Sequence, residues 1–132
     1  MTRKIFALGG MLSIVLAGVV FAQDSKTIKL TGYVIDNACA SGSHGDMAKT
    51  ADKAKGHSVS CALMPNCEKS GYAVIADGKM YKLDATGNQS AVELLKSTKS
   101  KKGLMVMVEG KMDGETLQVS KLAEVAAAEP SQ

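Results

Sequence analysis

The chain has 132 residues, with 16 basic and 13 acidic side chains, three Cys, two His, eight Met, two Phe and no Trp. This balance, with no basic stripe and no interleaved aromatics, excludes the electrostatic footprint and stacking platform of a nucleic-acid binder. A single domain of this size buries roughly two thirds of its unfolded surface, so its modest core gains from a staple or a metal.

Arg3 and Lys4 precede an apolar run from Ile5 to Phe21 that ends in Val20-Phe21-Ala22, the pattern of an export signal cleaved after Ala22. The run falls short of the roughly 20 residues a spanning helix prefers. Residues 1–22 are expected to be removed, leaving one domain over 23–123 and a flexible tail over 124–132. That places the protein in the periplasm or outside the cell, with no membrane segment after processing. Losing two basic residues brings the net charge to about +1.

In chain order, Ile28, Leu30 and Val34 alternate with Lys29, Thr31 and Tyr33, which predicts a strand over Ile28 to Ile35. Two alternating runs, Tyr72 to Ala76 and Lys79 to Leu83, flank Asp77-Gly78, a dipeptide suited to a tight hairpin turn. Asn88 to Thr98 reads as a helix: Ser90 and Glu93 have capping-box spacing, and Val92, Leu94 and Leu95 give an apolar side. Lysines 96, 99, 101 and 102 read as a solvated face. A second hairpin runs from Leu104 through Asp113-Gly114 to Leu122. Five strands with one helix between the third and fourth predict a mainly β domain, a five-stranded OB-like antiparallel barrel. An open sheet with one packed helix has the same element order.

The segment 36–71, inserted after the first strand, is too long for an idle connection. Asp46 is placed to cap a helix over Met47 to Lys55, closed by Gly56. The insertion holds Cys39, Cys61, Cys67, His44 and His57, that is, every cysteine and histidine of the chain. If residues 57–64 form a helix, His57, Cys61 and Met64 share one face; if Ser58 caps it, His57 falls outside. Pro65 disfavours helix at Met64.

Thiolate, imidazole and thioether are soft donors that suit copper or zinc rather than magnesium or calcium. Cys39, Cys61, Cys67 and one histidine can complete a tetrahedron, although five residues between Cys61 and Cys67 exceed the usual zinc spacing. The alternative is a disulfide, Cys61 to Cys67, stapling a module that binds a protein or glycan, with the third thiol left over. A weaker reading is a redox-active protein with one reactive cysteine. No thiol-exchange, haem, phosphate-loop or nucleophile-elbow motif is present, so no enzymatic function is expected. The order Cys39, His44, Met47 lacks the earlier histidine a blue-copper site needs.

Thr31-Gly32-Tyr33-Val34-Ile35-Asp36 leading to Cys39, His57-x-x-x-Cys61-Ala62-Leu63-Met64-Pro65-x-Cys67, and Ser70-Gly71-Tyr72 with Asp77-Gly78-Lys79 resemble a group of small exported bacterial proteins. The resemblance covers most of the mature chain. It implies an OB-like fold and a shared Cys/His cluster, and no named reaction. It also favours His57 over His44, because His57 lies in the matching stretch.

Overall fold

A computed structural model describes residues 26–126. The export signal expected at 1–22 and most of the expected tail lie outside the described residues. Five strands are present: β1 (Thr27–Asp36), β2 (Tyr72–Ala76), β3 (Lys79–Leu83), β4 (Met105–Asp113) and β5 (Thr116–Glu124). β1 pairs with β4 along its first part, Thr27↔Lys111 to Tyr33↔Met105, and with β2 along its last, Tyr33↔Ile75 to Asp36↔Tyr72. β2 then pairs with β3, β3 with β5, and β5 with β4, so the pairing order closes into a ring. The β3 to β5 contact is parallel, Lys82↔Thr116 and Leu83↔Leu117, which makes the sheet mixed rather than wholly antiparallel.

The helices outnumber expectation. Between β1 and β2 run α1 (Asn37–Ser41), α2 (Met47–Gly56), α3 (Val59–Ala62) and α4 (Pro65–Ser70), and α5 (Ala85–Ser97) joins β3 to β4. Helix and strand are therefore nearly equal, and "mainly β" holds only roughly. Among the described residues no helix is long and apolar enough to cross a membrane.

The insertion changes what β2 must be. All five of its residues are buried. Tyr72, Val74 and Ala76 join the larger core with Val34, Leu83, Leu95, Val106, Val108 and Leu117, while Ala73 and Ile75 join a second core with Ile35, Ala40 and Ala54. A strand shows two apolar faces when both sides are covered, and here α1 and α2 supply the second cover. α5 begins three residues before the expected start, because the Asp84 carboxylate accepts from Gly87 N–H and caps it. Gly87 is thus inside the helix, not a separator; a Cβ there would come within 2.5 Å of Val119 Cγ2. The expected tail also loses its first residues to the sheet: Glu124 ends β5, and Val125 N–H donates to Met105 O at 2.9 Å.

Gly32 lies one residue before Tyr33, where β1 pairs with both neighbours, and a Cβ on Gly32 would sit 2.2 Å from the backbone oxygen of Ile75. The obstacle is backbone that cannot rotate away, so Gly32→Ala is expected to cost about 3 kcal/mol, the upper end for overpacking. Urea denaturation checks this, and an unchanged midpoint would contradict the close approach.

Candidate metal centre

The cluster forms where β1 ends. Asp36, fully buried, is both the last residue of β1 and the N-cap of α1. Its Oδ1 accepts from Cys39 N–H at 2.8 Å, the ordinary reach of a capping carboxylate to the third helical residue. α4 packs against this turn. Asn37 N–H donates to Gly71 O at 2.9 Å, Asn37 Nδ2 to Ser70 O at 2.8 Å, and Ala38 N–H to Ser70 Oγ at 3.1 Å. These bonds bring Cys67, buried on α4, to Cys39 on α1.

His57 and Cys61 arrive from another direction. Ser58 caps α3, its hydroxyl accepting from Cys61 N–H at 3.1 Å. His57 therefore stands just outside the helix, pinned by its own carbonyl, which accepts from Gly103 N–H at 2.9 Å. Gly103 has φ of +63°, and a Cβ there would meet Lys55 O at 2.4 Å, so this approach needs glycine. Behind α3, the buried Tyr72 hydroxyl donates to Ala62 O at 2.7 Å and ties the Cys61 segment to β2.

Two groupings result. One ligand atom each from Cys39, His57 and Cys61 lie within 4.8 Å of one another, and so do those of Asp36, Cys39 and Cys67. Corners of a tetrahedron with bonds of about 2.3 Å are about 3.8 Å apart, so the donors within either grouping need to close by about 1 Å at most to share an ion. Cys39 is common to both groups. No protein family, curated protein or solved structure was found that matches the chain.

The expected donors are placed as follows. Cys39, His57 and Cys61 come together in one grouping, and Cys67 joins Cys39 in the other. Met64 does not share a helix face with His57 and Cys61, because α3 ends at Ala62 and Met64 caps the next helix, 53% exposed. His44 is exposed on a turn with φ of +51°. The three cysteines are free thiols, with no disulfide between Cys61 and Cys67. Sequence reasoning missed Asp36, reading it only as the first residue of the insertion. The signal was there: a carboxylate three residues ahead of Cys39 has N-cap spacing.

The electrostatics are those of an anion-rich pocket. Burial works against charge on Asp36, but the Cys39 N–H and His57 outweigh it and hold the carboxyl below its ordinary 3.8. Burial first, and then the Asp36 carboxylate and the neighbouring cysteines, push the Cys39 thiol up from 9.0 to about 12. Cys67 moves up for the same leading reasons. Such thiols are the opposite of activated nucleophiles, which need a lowered pKa. A bound cation inverts this, since a metal deprotonates a coordinating thiol outright.

In metal-free protein the unfolded chain ionises at Cys39 before the folded one. The thiol's contribution to stability is complete below pH 9.0 and is lost as pH rises towards about 12. Tyr72, raised by burial and then by Glu68 from 10.0 to about 12, acts in the same sense. The denaturation midpoint of metal-free protein is expected to fall across that window, and Cys39→Ser to flatten the early part of the fall. A variant that tracks the wild type throughout would contradict the burial of this thiol.

Proposed function

We propose that this chain is an exported, non-enzymatic protein whose OB-like domain binds one copper or zinc ion through Cys39, His57, Cys61 and Cys67. The observation that carries the reading is the convergence of thiol, imidazole and thiol from two segments within 4.8 Å, with Cys67, from a third, beside Cys39. Three sulfurs and one imidazole nitrogen are a closed, soft donor set, the kind structural zinc and copper(I) prefer over hard cations. The closed pairing order of five strands, with a helix between β3 and β4, supports an OB-like barrel. Export rests on the charged start, the apolar run and Ala22. An ion in the insertion would join α1, α3 and α4, so binding would stabilise the helical cover of β2 as well as itself.

Native mass spectrometry of processed protein isolated without chelator tests this, before and after chelation and with thiol alkylation. One ion per chain, with all three thiols protected until the chelator is added, is the expected result. Substoichiometric metal together with two cysteines joined in a disulfide would overturn it in favour of a stapled interaction module.

A further inference from the structure

Asp36 and His57 meet at 2.7 Å, Oδ2 to Nε2, with both side chains nearly or fully buried. The other oxygen, Oδ1, is held by Cys39 N–H. One carboxylate thus fixes a residue on each side of the cluster, 21 positions apart in sequence.

We infer that Asp36 is a positioning residue that holds the proton of His57 on Nε2, so that His57 ligates the ion through Nδ1. A carboxylate only accepts, so the nitrogen facing it must donate. In a neutral ring the lone pair is then left on the other nitrogen. Ligand histidines commonly donate their second ring N–H to a carboxylate, which fixes tautomer and ring angle and strengthens the ligand. The inference rests on the proposed metal site and adds which atom binds and what chooses it.

Asp36→Asn is nearly isosteric and makes the idea specific. The amide oxygen can still accept from Cys39 N–H, so α1 keeps its cap. The amide nitrogen then faces Nε2 and donates to it, which moves the ring proton to Nδ1 and removes the lone pair the metal needs.

The test uses full-length processed protein, 15N-labelled and loaded with 113Cd as a stand-in for zinc. In the wild type, a 113Cd to 15N coupling is expected at His57 Nδ1, with the proton on Nε2. In Asp36→Asn the coupling is expected to vanish and cadmium affinity to fall about 10- to 100-fold. His57→Ala should weaken binding similarly, and the double variant should add little. Coupling at Nε2 in the wild type would overturn the inference without any variant having to fold. Retained Nδ1 coupling in Asp36→Asn would also overturn it, reducing Asp36 to a helix cap. If wild-type protein binds no cadmium, the metal reading itself has failed; if cadmium binds through sulfur with no coupling to His57, metal binding by the cysteines stands, His57 is no ligand, and this inference falls.

Discussion

Cys39→Ser is expected to weaken binding of zinc or copper(I) more than any other single cysteine substitution in the chain. Cys39 belongs to both donor groupings, whereas Cys61 and Cys67 each belong to one. It is also the residue whose backbone Asp36 holds, so its sulfur is placed by a buried cap rather than by a free loop. Structural zinc binding in small domains is worth roughly 10–16 kcal/mol, so an equal share for one of four ligands is about 3 kcal/mol, or about a hundredfold in affinity, and the loss at Cys39 is expected to exceed that share. Serine keeps the size and the cap and removes the soft donor. Competition titration against a chromophoric chelator reads the change. Equal losses for Cys39→Ser and Cys67→Ser would show that the two groupings do not share a centre at Cys39.

Tyr72→Ala is expected to be the most destabilising of the substitutions considered. Tyr72 is fully buried among the larger core, and its hydroxyl is a buried donor to Ala62 O. Truncating a buried aromatic costs about 3–5 kcal/mol, and leaving a buried carbonyl unpaired adds about 1–3 kcal/mol. Against a total of roughly 5–15 kcal/mol for a domain, the remainder is small. Tyr72→Phe separates the two effects: it keeps the ring, removes only the bond to Ala62, and should cost about 1–3 kcal/mol. Because that bond anchors α3, Tyr72→Phe should also weaken metal binding several-fold while leaving the sheet intact. Thermal denaturation beside chelator competition tests the pair. A Tyr72→Phe protein with unchanged metal affinity would show that α3 is held in place without the hydroxyl.

The hairpin of β2 and β3 was legible residue for residue, because Asp77 and Gly78 both adopt positive φ and that dipeptide announces the turn. The cluster was legible as composition: Cys39, His57, Cys61 and Cys67 were named from the sequence, and the fold puts His57 and Cys61 in one grouping with Cys39, and Cys67 in another with it. What stayed hidden was whatever tertiary contacts decide. α1 and α4 are five and six residues long, too short for periodicity to show, and exist because Asn37, Ser70 and Gly71 bond across them. Pro65 was legible as a helix stop for Met64, and it is equally the first residue of α4, a position proline favours. The face shared by His57, Cys61 and Met64 failed because Ser58 took the cap. The buried outer face of β2 was illegible for a related reason: its covering helices are set by the same contacts.

Asp36 shows how far a residue pattern reaches. Its place after a buried strand and three residues before Cys39 marks a cap, but its contact with His57, 21 residues away, is made by the fold alone. That contact turns a set of donors into an oriented set.

X-ray absorption at the metal edge of zinc- or copper-loaded protein measures the proposed centre directly. Three sulfurs at about 2.3 Å and one nitrogen at about 2.0–2.1 Å are expected for zinc, with the sulfur count falling by one in Cys39→Ser. A first shell of oxygen and nitrogen alone, unchanged in Cys39→Ser, would contradict it.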